Sequence, residues 1–118
     1  MTRHEADAIC AALPGATYHS HADGGLDAWK VGDKMFACIG HIDDGVSVKT
    51  DSIDTATFLI DIGAAQKAKY FHRSWVRVPF AGKDADEVRD RIYTSYGLIR
   101  SSLTKKAQAA LDPWPAAD

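Results

Sequence analysis

Apolar residues recur along the chain with two different periods, and the switches between them mark its elements. Thr2 and Glu5 make a capping box, in which hydroxyl and carboxylate satisfy free N–H groups at a helix start. Ala6, Ile9, Cys10 and Leu13 follow at helical spacing, and Pro14-Gly15 ends that helix. Residues 17–22 suggest a short strand, and residues 26–31 a better-defined one with Trp29 and Val31 on one face. Gly32-Asp33 predicts a two-residue hairpin turn, because glycine tolerates positive φ. The run Met35-Phe36-Ala37-Cys38-Ile39 suits a central strand. After a turn at Asp43-Asp44-Gly45, Val46, Val48 and Thr50 alternate with Ser47 and Lys49, the pattern of a strand that buries one face.

Asp51 or Ser52 then caps a second helix with Ile53, Ala56, Leu59 and Ile60 inward and Gly63 as its stop. Residues 64–73 form a basic, aromatic connection. Trp75 to Phe80 is a strand with Val76, Val78 and Phe80 on one face. Pro79 cannot donate to a ladder, so it points to an edge or to the end of pairing. Asp84 and Glu87 open the last helix, along which Val88, Ile92, Tyr96, Ile99 and Leu103 recur at helical steps. The order is helix, three or four strands, helix, strand, helix. It predicts an α+β fold, an antiparallel sheet of four to five strands packed against flanking helices. Residues 1–111 make a single domain in this reading, and 112–118, with Pro113 and Pro115, a frayed tail.

Composition bounds this picture without changing it. At 118 residues with 46% apolar content, the chain is the length of one ordinary domain and needs no disulfide or metal to fold. It contains no run of ~18 apolar residues that could span a membrane. No apolar signal-peptide core follows Met1, and Cys10 and Cys38 sit among apolar neighbours as buried thiols. A cytoplasmic protein without a membrane partner is the expectation.

Charge changes the picture more. The net charge is −2, yet residues 1–61 hold ten acids and four bases, and residues 62–118 six acids and ten bases. No acid falls between Asp61 and Asp84, where Lys67, Lys69, Arg73, Arg77 and Lys83 lie. From Lys67 to Arg77 these cations interleave with Tyr70, Phe71 and Trp75. Cations neutralise phosphates and rings stack on bases, so the stretch is a candidate nucleic-acid site. The alternative is a loop anchored by core rings with a solvated charged edge.

Other candidates are weaker. His19 and His21 share one side of a strand and could ligate a metal, but no third ligand is identifiable, and ordinary surface histidines are the alternative. There is no nucleophile elbow, phosphate loop or dinucleotide fingerprint, and Ser74, Ser95, Ser101 and Ser102 have no local partner. The expectation is a small non-enzymatic binding protein without a cofactor.

Certain segments carry a resemblance. Pro14-Gly15-Ala16-Thr17, Trp29-Lys30-Val31 with Asp33-Lys34-Met35-Phe36, and Val46-Ser47-Val48-Lys49-Thr50-Asp51 are followed by Tyr70-Phe71-His72, Trp75-Val76 and Ser95-Tyr96-Gly97-Leu98-Ile99. In order and spacing this succession resembles the MmcQ/YjbR family, from about Thr2 to Leu111. The resemblance implies an antiparallel sheet with flanking helices and a proposed DNA-binding role through a double wing of β-hairpins. It implies packing roles for Met35 and Phe36, and places Lys34, Lys49 and Trp75 towards a ligand. Where members often carry Gly before the hairpin lysine this chain has Asp33, an acid that would repel phosphate at a wing tip. Together with the basic stretch, the expected DNA contacts are Lys34, Lys49, Lys67, Lys69, Arg73, Trp75 and Arg77. The alternative is a protein-interaction or small-ligand-binding module, with the Trp75–Phe80 strand as an edge that pairs with a protein partner.

Overall fold

The computed structural model describes residues 1–20 and 26–114. The expected second half of the 17–22 strand, and His21 with it, lies outside the described residues. The elements in chain order are α1 (Arg3–Ala11), β1 (Thr17–His19), β2 (Asp27–Val31), β3 (Lys34–Ile39), β4 (Gly45–Lys49), α2 (Ile53–Asp61), β5 (Gln66–Lys67), β6 (Trp75–Pro79), α3 (Ala85–Ser102) and α4 (Lys105–Ala109). The sheet has six strands in the order β1-β2-β3-β4-β6-β5, and every pairing is antiparallel. The α+β expectation holds, with one strand more than the four to five foreseen.

The caps largely follow the sequence. Thr2 Oγ1 accepts the Glu5 N–H at 3.2 Å, and Ser52 Oγ accepts the Thr55 N–H at 3.0 Å, which settles the choice between Asp51 and Ser52. Asp84 occupies the N-cap of α3 but makes no side-chain cap bond, and Glu87 pairs with Lys83 instead. Gly32 (φ 56°) and Asp33 (φ 65°) are both left-handed, the geometry of a tight primed turn, and Val31 pairs with Lys34 across it. Helix α4 was not foreseen. Thr104 Oγ1 caps it by accepting the Ala107 N–H.

Among the described residues, all four helices lie on one face of the sheet. There Val31, Phe36, Val46, Val48, Val76 and Val78 meet Ala6 and Cys10 of α1, Ala56 and Leu59 of α2, and Val88, Ile92, Tyr96 and Ile99 of α3. Burying these aliphatic faces supplies the main drive for folding. The Tyr96 hydroxyl, carried into this core, donates to the Pro14 carbonyl at 2.6 Å. Arg3 ties α1 to β2 and to the β3–β4 turn through Asp7, Asp27 and Asp43. Burial works against its charge, and those carboxylates more than offset that, holding the guanidinium well above its usual range.

Three expectations are corrected. β6 is not an edge strand, since β5 covers its Val76 and Arg77; Pro79 marks the end of pairing, opposite Gly45. The two residues of β5 are too short a run to show as a strand in the pattern. Asp112 and Trp114, assigned to a frayed tail, lie against α3. The Arg100 guanidinium donates to the Asp112 carbonyl, and the Trp114 ring stands edge-on to Tyr96 at 4.6 Å. Among the described residues no helix is long and apolar enough to cross a membrane.

Candidate functional site

Among the described residues the second face of the sheet carries no helix. Residues directly opposed in antiparallel pairs share a face. The register therefore draws one row across this outer face: His19, Ala28, Cys38, Ser47, Arg77 and Gln66, one from each strand. A second row holds Thr17, Lys30 and Met35, and a third Lys49 and Trp75. Three of these strands thus contribute a cation, Lys30, Lys49 and Arg77, and no residue in the three rows is an acid. The acids stand at the rims, Asp33 in the β2–β3 turn and Asp43 and Asp44 in the β3–β4 turn.

The β5–β6 connection folds back over this face. Its Phe71 ring stacks on Trp75 at 5.0 Å with 26° between planes. Trp75 is 9% exposed, and Ala28, Cys38, Ala68 and Trp75 are buried without belonging to the helix-side core. Tyr70, the next residue back, is 100% exposed and held at φ 70°. Two recesses flank these rings and share Leu26, Cys38, Tyr70 and Phe71. The larger, about 700 Å³, also takes in Lys67, Lys69, Arg77, Asp44 and Ile42. The smaller, about 430 Å³, takes in Lys30, Asp33 and Met35.

Two devices fix the cations. Arg77 lies flat across β4, bonded to Gln66 Oε1 at 2.9 Å and paired with Asp44. A Cβ on Gly45 would stand 2.7 Å from its guanidinium carbon, so the glycine makes room for it. Lys49 Nζ donates to Ser74 Oγ at 3.0 Å. The Ser74 N–H can only donate, so His72 Nδ1 is its acceptor, and the Ser74 hydroxyl donates to the same nitrogen at 2.8 Å. Ser74 is 3% exposed, and these bonds pin the loop to β4. Nothing in the linear pattern had given Ser74 a partner, although His72 stands only two residues away.

A family model described as YjbR matches residues 11–98 of the 118. The chain belongs to the YjbR family. The crystal structure of Deinococcus radiodurans protein DR2400, with a DUF419 domain, superposes on this YjbR domain with a TM-score of 0.80, covering 92% of this chain and 86% of that one. At 20% identity that likeness is one of fold. No functionally curated protein matches the chain.

Within this YjbR domain the expected DNA contacts divide. Lys67, Lys69 and Arg77 line the larger recess, Lys67 from an edge-strand position opposite Val76 on the helix side, and Lys49 lies on the outer face beside Trp75. Lys34 does not join them. It pairs with Val31, on the helix side, and its Nζ donates to Ser102 Oγ of α3 at 3.4 Å. Trp75 is a covered platform for Phe71 and offers no free ring to a ligand. Arg73 is exposed in the turn before β6, outside both recesses. Lys30 and Tyr70, not among the expected contacts, also stand at this candidate site. Strand pairing places the first, and its complete exposure identifies the second.

Proposed function

We propose that this YjbR domain is a non-enzymatic nucleic-acid-binding protein, with DNA as its partner, and that it binds through the outer face of the sheet and the loop laid across it. The observation that carries the reading is the gathering of Lys30, Lys49 and Arg77 on one helix-free face, with Lys67 and Lys69 lining the recess at its edge, in a chain whose net charge is −2. Phosphate neutralisation by such a cluster supplies affinity without sequence readout. The hairpin tips suit the role less well than the face between them, because Asp33 and Asp43 occupy them.

The test is fluorescence anisotropy of labelled DNA, duplex and single-stranded, at low and physiological salt. Saturable binding that weakens with salt is expected, with a slope of roughly −0.7 to −0.9 per phosphate neutralised. Replacing Lys67 and Lys69 together with Ala should lower that slope by about two, whereas Lys34→Ala should leave it unchanged. No binding of either DNA form at low salt would overturn the reading. The competing reading, a protein-interaction module, draws on Phe58 and Ile62, which are 60% and 59% exposed at the end of α2. Concentration-dependent self-association in the ultracentrifuge, without DNA binding, would favour it.

A further inference from the structure

The outer face combines recessed cations with one protruding ring, and that combination discriminates between forms of nucleic acid. Tyr70 is wholly exposed, so its ring has no packing role in the fold. The residue is nonetheless well placed. Its neighbour Phe71 is stacked on the buried Trp75, and the loop is bonded to β4 through His72, Ser74 and Lys49. A free ring on a fixed mount is a stacking platform, and stacking needs a partner with an open face.

In a duplex, bases are stacked on one another and present only their edges to the grooves. A protein enters those grooves with a protruding helix or ribbon. Here the β2–β3 hairpin ends in Asp33, which repels the phosphates lining a groove, and the β3–β4 turn in Asp43, whose charge is taken up by Arg3. Tyr70 lines two recesses, and each holds cations: Lys67, Lys69 and Arg77 in one, Lys30 in the other. A chain of phosphates passing through both recesses would carry its bases directly past the Tyr70 ring.

Resting on the nucleic-acid reading, we propose that the form bound is an unpaired strand, with one base stacked on Tyr70 and the flanking phosphates held by the Lys67–Lys69–Arg77 group and by Lys30. A free nucleotide offers the same base and phosphate chemistry, but it would engage one recess only. Cations in both recesses favour a strand.

Anisotropy titrations at low salt test this, using a labelled mixed-sequence single strand of roughly 12 nucleotides and the blunt duplex made from it. The single strand should bind more tightly. Tyr70→Ala should weaken single-strand binding roughly five- to a hundred-fold, with Tyr70→Phe and Tyr70→Trp restoring it, and should leave duplex binding unchanged. Because the ring is fully exposed, the variants should fold, as circular dichroism would verify. Duplex binding equal to or tighter than the single strand, or indifference to Tyr70→Ala, would overturn the unpaired-strand proposal while leaving the broader reading in place. Failure of both forms to bind would remove that reading and this proposal with it. Competition by a nucleoside monophosphate as effective, per mole, as the strand would overturn the strand in favour of a free nucleotide.

Discussion

Ser95 should matter more to stability than any other hydroxyl in the protein. Its side chain is completely buried on α3, where it donates to the Phe36 carbonyl at 2.6 Å and accepts the Lys49 N–H at 2.9 Å. Those two backbone groups face each other across β3 and β4, where a ladder bond would ordinarily join them. The register of β3 shifts here: Phe36 is passed over between Met35 and Ala37, and pairing with β4 stops at Ala37 and Val48. The serine hydroxyl fills the gap and replaces the missing bond by two of its own. Ser95→Ala would leave a buried donor and a buried acceptor, each costing about 1–3 kcal/mol when unpaired. Allowing for partial closure of the strands, the loss should be about 2–4 kcal/mol. Urea unfolding followed by circular dichroism would show it as a midpoint lowered by about 1–2 M at unchanged slope. A loss below about 0.5 kcal/mol, the size of an ordinary surface substitution, would refute the bridging account.

Two further outcomes follow from the core. Tyr96→Phe removes the hydroxyl that donates to the Pro14 carbonyl and accepts from Arg100 at 3.0 Å, so thermal unfolding should show a loss of about 1–2 kcal/mol with the core otherwise intact. Burial pushes the Cys10 thiol up to about 12 and the Cys38 thiol up to about 11, with Asp7 and Asp27 adding to the shifts. Between the ordinary thiol value of 9.0 and these values the unfolded chain gives up thiol protons that the folded chain keeps, so stability should fall as pH rises. Urea midpoints from pH 8 to 11 under reducing conditions should decline more steeply for the native chain than for the Cys10→Ala, Cys38→Ala double variant. Equal slopes would contradict the burial argument.

Most of the fold was legible because local pattern and tertiary packing agree in it. The Gly32-Asp33 turn, the alternation from Val46 to Thr50 and the α3 stripe from Val88 to Ile99 each state their element in a few residues. What was not legible depends on contacts distant in sequence. The two residues of β5 are a strand only because β6 lies beside them. The irregularity at Phe36 exists because Ser95, far along the chain, satisfies what it leaves open. For the candidate site, the basic stretch singled out Lys67, Lys69 and Arg77 from composition alone, and the fold brings all three to one recess. Composition could not reveal that Lys34 points to the helices, because one step along a strand reverses the face. Nor could it separate Trp75 from Tyr70, since two rings in one loop have the same local signature and opposite fates.

The backbone at Tyr70 has a consequence for how this protein would respond to selection. A φ of 70° suits glycine and costs a tyrosine about 1–2 kcal/mol, and a fully exposed ring returns nothing to the fold in compensation. A library screened for heat resistance alone should therefore drift towards glycine at position 70, and a library screened for ligand capture should hold the ring. If so, the most thermostable descendants of this sequence would be the ones that had forgotten its ligand.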